Sequence, residues 1–150
     1  MKQRLVLSLA VLTLLSAIAG AGGVDARATG PHHDFVLASF DAFNTHFFVN
    51  AVSGPAGENP QGRLTYAFLE TKVDCLAVHG REALVIADIP SYFFVITLVL
   101  RDNRPGTDEL VLLDARQGSS PRRCPGFGGT HGRPGTPVSG DINVHNAREP

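Results

Sequence analysis

The sequence has no tryptophan, one methionine and only two cysteines among its 150 residues, and it has no excess of positive charge. Two cysteines are too few for a cysteine-dense scaffold or a four-cysteine zinc site. Thirteen basic against 14 acidic residues exclude a nucleic-acid binder that works through bulk positive charge. No apolar run after the N-terminal segment approaches the roughly 20 residues of a membrane helix, so we expect no membrane span in the mature chain.

Glycine and proline are abundant, with 16 and ten residues respectively. They indicate many turns between short segments. Because 43% of the residues are hydrophobic, the chain is not expected to be disordered. Its length suits one domain better than two.

The N-terminal residues have the layout of a secretory signal peptide. Lys2 and Arg4 precede an apolar run over residues 5–19, and Ala17-Ile18-Ala19 fits an A-x-A cleavage site. Cleavage after Ala19, or as late as Ala28, predicts a secreted or periplasmic protein. Cleavage after Ala19 would leave 11 basic and 14 acidic residues, a net charge of −3.

Short strands separated by turns fill the rest of the chain. We expect a flexible lead-in over residues 20–33, a single domain over 34–146 and a tail over 147–150. Alternating apolar residues, or aromatic and β-branched composition, mark the strands. The expected strands cover residues 34–43, 46–53, 63–70, 71–78, 82–88, 92–101, 109–114 and 138–145.

This spacing of about ten residues predicts an all-β fold, either an antiparallel β-sandwich or a closed β-barrel of seven or eight strands. Segment 92–101 is apolar on both faces and is therefore expected to be a central strand. A loop rich in Gly, Pro, Ser and Arg spans residues 117–137 and contains Cys124. In an exported chain Cys124 is expected to pair with Cys75, and closing a loop of about 50 residues would stabilise the fold by about 4 kcal/mol.

Several short motifs follow one another in an order that points to a family. Residues 73–80 read V-D-C-L-A-V-H-G, and they are followed by a strand over 83–87, an Asp102-Asn103 turn, Cys124 and G-D-I-N-V-H over 140–145. The chain thereby resembles small secreted bacterial all-β proteins with a V-x-C-L-x-V-x-G strand, a D-N turn, a second Cys and a C-terminal G-D-I-x-V-H strand. The resemblance covers about residues 46–146. It implies an all-β fold and export, and it implies no catalytic residues.

Aromatic side chains are the best indication of a binding surface. Adjacent strand residues face opposite ways, so one member of each pair, Phe47-Phe48 and Phe93-Phe94, must lie outside the main core. These four residues and Tyr66 are our candidate ligand-binding residues. They would contact a protein partner or, in a barrel, line a cavity for a small apolar ligand. The other interpretation is that they only pack the core.

An acidic turn offers a candidate metal site. Asp102, Asn103, Asp108 and Glu109 bring four oxygen-bearing side chains to one loop, and calcium prefers oxygen ligands. Asp and Asn also begin turns through local hydrogen bonds, which is the interpretation we favour.

The sequence contains six histidines, but it has no dense metal-ligand spacing and no nucleophile motif. We therefore expect no catalytic residues and no cofactor. The favoured function is a secreted or periplasmic non-catalytic binding or interaction module of unknown ligand. The alternative is a β-barrel carrier of a small apolar ligand, and a hydrolase with a dispersed site ranks below both.

Overall fold

The computed structural model describes residues 32–127, 130 and 132–148, and these residues form nine antiparallel strands. The expected signal peptide and most of the expected lead-in lie outside the described residues. The strands are β1 (Asp34–Ala42), β2 (Thr45–Ser53), β3 (Gln61–Tyr66), β4 (Leu69–His79), β5 (Glu82–Ile89), β6 (Phe94–Arg101), β7 (Glu109–Gln117), β8 (Thr136–Pro137) and β9 (Ser139–His145). The all-β prediction is confirmed, and β8 is a short strand beyond the eight expected ones.

The sheet is a meander whose two edges are brought together by its last segment. Each strand from β1 to β8 pairs with the next along the chain, and β9 returns to pair with β1. Only Val138 separates β8 from β9, so residues 136–145 pair with β7 at one edge and with β1 at the other. The sheet is thus a nearly closed barrel, which decides between the two predicted architectures.

Two glycines allow close approach of neighbouring strands where the barrel bends. Gly62 in β3 has φ 134°, and a Cβ there would lie 2.1 Å from the carbonyl oxygen of Asn50. Gly140 in β9 has φ 133°, and its Cβ would lie 2.2 Å from the carbonyl oxygen of Ser39. Any larger residue would push these strand pairs apart, so both positions require glycine.

Alternate residues of the strands fill the barrel interior. The rings of Phe40 and Phe47 stack with centroids 5.0 Å apart, and both side chains are fully buried. Phe47 also contacts the ring of Tyr66, at 5.1 Å. The other large, fully buried interior side chains are Val36, Val49, Leu64, Val73, Leu76, Val85, Leu98, Leu100 and Ile142.

A second apolar layer covers the outer face of β4, β5 and β6. Cys75, Ile86 and Val95 are buried there beneath Cys124 and Phe127 of the long loop. The predicted Cys75–Cys124 disulfide is present, with Cα atoms 5.1 Å apart. This covering explains why the central strands are apolar on both faces, as expected for segment 92–101.

Hydrogen bonds fix both arms of the long loop to the barrel. At its start, the Ser120 hydroxyl lies 3.0 Å from a carboxylate oxygen of Asp74 and 2.7 Å from one of Asp88. At its end, Arg101 Nη2 donates to the carbonyl oxygen of Arg133 at 2.9 Å. The loop is therefore a folded outer layer rather than a loose connection.

Candidate binding surface

Three successive hairpins place their turns at the same end of the barrel. Since the strands alternate in direction, the β1–β2, β3–β4 and β5–β6 connections all lie at one end. The amide of Ala67 in the β3–β4 turn donates to the carbonyl oxygen of His46 at the start of β2, at 3.0 Å. We call this end, with Phe43, Phe68, Tyr92, Phe93 and Phe94, the aromatic end.

The aromatic end carries large apolar side chains that face solvent. Phe43 is 65% exposed on the β1–β2 turn, and Phe68 is 87% exposed on the β3–β4 turn. On the β5–β6 connection Tyr92, Phe93 and Phe94 are 56%, 79% and 38% exposed. In the described part of the chain these are the exposed large apolar side chains, and all of them lie at this end. Such a concentration on one surface is typical of a binding site.

The backbone of these turns is unusual for the residues it contains. Phe43, Ala67 and Phe93 have φ values of 52°, 54° and 54°, in the left-handed region that glycine and asparagine adopt most easily. For other residues this conformation costs about 1–2 kcal/mol. Two aromatic side chains are therefore held at turn positions that disfavour them.

An apolar cavity of about 260 Å³ lies within the aromatic end. Its wall combines residues of the β3–β4 and β5–β6 hairpins with the end of β7. The lining residues are Tyr66, Leu69, Ile89, Tyr92, Phe94, Ile96 and Ala115. This is the type of surface that holds an apolar group.

The structure brings only some of the sequence-predicted aromatic residues together. Tyr66 and Phe94 line the cavity, and Phe93 projects beside it. Phe47 is fully buried in the barrel interior beneath Tyr66, whereas Phe48 is half-buried on the outer wall of β2. As expected, Phe47 and Phe48 face opposite ways.

Phe43, Phe68 and Tyr92 belong to the aromatic end but were expected within strands. The strand expected from residue 92 begins at Phe94, because Pro90–Tyr92 form a short 3₁₀ turn. The strand expected over 63–70 is interrupted because Ala67 turns the chain and leaves Phe68 at the tip. The Ala67-Phe68 turn contains no Gly, Asn, Asp or Pro, so it carries no sequence signal. Asn44 beside Phe43 was the one weak signal available.

A belt of paired charges of both signs lies just behind the tips. His46 Nδ1 and Asp41 Oδ1 are 2.9 Å apart, and Arg63 Nη1 and Glu70 Oε1 are 3.0 Å apart. The turns themselves, residues 42–45, 66–69 and 89–94, contain no charged residue. The aromatic end therefore combines uncharged tips with neighbouring charges of both signs, which include the exposed cations Lys72, paired with Arg63 across β3 and β4, and Arg116 at the end of β7.

The opposite end, which we call the charged end, is built from residues 54–60, 80–81 and 102–108. It contains clefts larger than the apolar cavity, one of them of about 420 Å³. This cleft is lined by polar residues such as His33, Ser53 and Glu58 together with apolar ones. It lacks the uniformly apolar character of the aromatic end.

At the charged end the predicted metal-site residues act as hydrogen-bond partners of the barrel seam. Asp108 accepts hydrogen bonds from the amides of Asn103, at 2.9 Å, and Ile142, at 2.7 Å. Asp102 accepts from the amide of Val144 at 3.3 Å. Glu109 forms an ion pair with Arg101 at 2.6 Å. The carboxylates of Asp102 and Asp108 thus accept hydrogen bonds from the outer edge of β9, where no strand pairs with it.

The buried Asp102 carboxylate is also bound by a nearby arginine. Burial raises its pKa, but hydrogen bonds from Arg104 and from the Val144 amide outweigh this, so the pKa of Asp102 is lowered overall. Arg104 Nη2 also donates to Asn143 Oδ1 at 2.9 Å, which ties the turn to β9. The arrangement favours a structural role for the turn, and the calcium site stays a prediction. Among the described residues no group of three or more His, Cys, Asp or Glu is placed to hold a metal ion.

A hydrolase would need a histidine placed for catalysis, so the surroundings of His145, His79 and His46 test the hydrolase alternative. His145 stacks on Phe35 with ring centroids 5.1 Å apart, and the ring of His79 lies 6.2 Å from that of Phe127. His46 contacts Asp41 on a surface where both side chains are more than half exposed. These three environments give no support to a catalytic histidine, and the hydrolase stays a prediction.

Comparisons with family models, curated proteins and solved structures find no match for this chain. Within the described residues no helical segment has the length and apolarity of a bilayer span.

Proposed function

We propose that the protein is a non-catalytic binding module, secreted or periplasmic, whose binding surface is the aromatic end. The observation that carries this proposal is the location of Phe43, Phe68 and Phe93, each mostly exposed, on three adjacent uncharged turns. Large apolar side chains concentrated on one surface indicate a binding site, because covering them removes apolar area from water. The Cys75–Cys124 disulfide is consistent with an oxidising compartment outside the cytosol.

The test measures binding of the apolar dye 8-anilinonaphthalene-1-sulfonate to the folded protein. A variant with Phe43→Asn, Phe68→Ser and Phe93→Asn removes the three tips, and Asn suits the left-handed backbone at 43 and 93. We expect this variant to lose most of the dye fluorescence. Phe48→Ser is the matched control, because it removes an aromatic ring from the barrel wall. Unchanged dye binding by the triple variant would contradict the proposal.

A second candidate function is the carriage of a small apolar ligand, which the cavity of about 260 Å³ supports. Ala115 lines this cavity, so Ala115→Leu would fill part of it and leave the tips in place. A carrier binds the neutral probe N-phenyl-1-naphthylamine with one-to-one stoichiometry and loses this binding in Ala115→Leu. Probe binding that depends on the tips and is indifferent to Ala115→Leu would exclude the carrier.

A further inference from the structure

The shape of the aromatic end favours a fluid partner over a rigid one. Phe43, Phe68 and Phe93 lie on separate hairpins, and neighbouring hairpins are about 10 Å apart because each contributes two strands. Exposed fractions of 65%, 87% and 79% mean that these three rings are covered little by the rest of the fold. A protein partner would need a matched pocket for each ring. A layer of lipid headgroups and upper acyl chains accepts separate protrusions without such matching.

The residue types also fit a bilayer surface. Tryptophan and tyrosine concentrate at membrane–water interfaces, where tyrosine places an apolar ring and a polar hydroxyl across the boundary, and phenylalanine supplies an apolar ring that can be buried below it. Tyr92 is 56% exposed beside Phe93 and is placed to do this. Phe43 and Phe93 occupy left-handed turn positions where Asn or Gly would be more favourable for folding. The gain from the aromatic rings must therefore come from outside the folded chain.

The charged side chains at and behind the three turns indicate which headgroup charge the surface suits. Binding to anionic lipids relies on clusters of Lys and Arg, and the three turns contain none. Behind the tips, charges of both signs are present at Asp41, Glu70, Arg63, Lys72 and Arg116. Zwitterionic headgroups also carry both signs, so this belt is complementary to a neutral bilayer.

We propose that the aromatic end docks on the surface of a lipid bilayer of zwitterionic lipids, with the tips of the three hairpins inserted among the headgroups. This inference rests on the proposed function and names its partner. Both ends of the described chain, at His32 and Arg148, lie at the charged end, where the Ala147 amide donates to Asp34 Oδ1 at 2.8 Å. A docked molecule therefore directs both ends of the described range away from the bilayer.

The absence of tryptophan from the sequence provides a clean reporter. Phe68→Trp places a single tryptophan at a tip, and Phe48→Trp places one on the barrel wall as the matched control. Both proteins are mixed with unilamellar vesicles of dioleoylphosphatidylcholine, with and without bromine on the acyl chains. We expect a blue shift and bromine quenching for Phe68→Trp, neither effect for Phe48→Trp, and no loss of binding in 0.5 M NaCl. The absence of a blue shift for Phe68→Trp at every vesicle concentration would overturn the proposal.

Cosedimentation with the same vesicles then tests the contribution of each tip. We expect Phe43→Asn and Phe93→Asn each to lower the vesicle partition coefficient about tenfold, because each removes one large apolar side chain from the inserted surface. Gln61→Glu adds a charge at the charged end and should leave the coefficient unchanged. Equal weakening by Gln61→Glu and the tip variants would overturn the insertion geometry.

The two proposals fail in different ways. If the triple variant loses dye binding but the unaltered protein does not bind vesicles, the aromatic end is still a binding surface. The bilayer is then not its partner. The unaltered protein could instead sediment as a dimer, and the tip variants as monomers. This result would identify a second copy of the chain as the partner and would also overturn the bilayer. Dye binding that does not depend on the tips would overturn the binding surface itself.

Discussion

The two ends of the barrel use different residues for the same backbone conformation. At the charged end, left-handed turn positions are occupied by Gly57, with φ 78°, Gly80, with φ 58°, and Asn59, with φ 50°. At the aromatic end, comparable positions are occupied by Asn44 and by Phe43, Ala67 and Phe93. Glycine adopts this conformation without steric cost and asparagine tolerates it, whereas Phe and Ala do not. The charged end is therefore optimised for folding in a way that the aromatic end is not.

The polar groups of the two ends differ in a corresponding way. At the charged end Asp102 and Asp108 are buried and bind the amides of β9, so they hold the barrel closed. At the aromatic end the prominent side chains are exposed aromatic rings. Stability and binding are thus assigned to opposite ends of one small domain, and substitutions at the two ends should have opposite effects.

The largest effect is expected at the charged end. Asp108→Ala removes the acceptor of the Asn103 and Ile142 amides, and the loss of these two bonds should lower the free energy of unfolding by about 3 kcal/mol. Urea denaturation measures this loss. Asp108→Asn keeps one oxygen acceptor and should have an intermediate effect. Full stability of Asp108→Ala would mean that the carboxylate does not close the seam.

A gain of stability is expected at the aromatic end. Phe43→Asn replaces a ring that is 65% exposed by a residue that tolerates φ 52°, and it should raise the free energy of unfolding by about 1 kcal/mol. Urea denaturation again provides the measurement. Phe68→Asn is the matched control, because Phe68 is exposed but has no left-handed backbone, and its stability should change by less than about 0.5 kcal/mol. A loss of stability in Phe43→Asn would show that this ring supports the fold.

The smallest effect concerns the pH dependence at the charged end. Burial raises the pKa of Asp34, more than the hydrogen bond from the Ala147 amide lowers it. The folded protein then holds this proton more tightly than the unfolded chain, so stability falls as the pH rises from 3.8 through the folded pKa.

Asp34→Asn retains the acceptor for Ala147 and cannot ionise, so this fall disappears. Its stability relative to the unaltered protein should be greater at pH 7 than at pH 3 in paired urea denaturation curves. A difference that is the same at both pH values would contradict the role assigned to burial.

Most of the fold could be predicted from the sequence because its signals are local. Alternating residues such as Leu64 and Tyr66 mark a half-buried strand, and an apolar segment such as 94–101 marks one covered on both faces. The closure of the barrel could not be predicted in this way. It depends on β8 and β9 pairing with opposite edges of the sheet, a contact between residues distant in sequence.

The candidate site was predicted only in part, for a different physical reason. The opposite facing of Phe47 and Phe48 follows from strand geometry and could be derived in advance. The exposure of Phe68 depends on a turn without typical turn residues, so the pattern favoured a continuous strand there, whereas the turn after Phe43 contains Asn44 and was expected. Phe43, Ala67 and Phe93, whose left-handed backbone is unfavourable for their residue types, are the residues that shape the proposed binding surface.

Fluorine NMR of the protein labelled with 4-fluorophenylalanine tests the central claim most directly, because the nine phenylalanines report on the aromatic end, the wall and the core at once. With dodecylphosphocholine micelles as the apolar partner, we predict that the resonances of Phe43, Phe68 and Phe93 shift, and that those of Phe40, Phe47 and Phe127 do not. Shifts at Phe127 with none at the three tips would contradict the assignment of binding to the aromatic end.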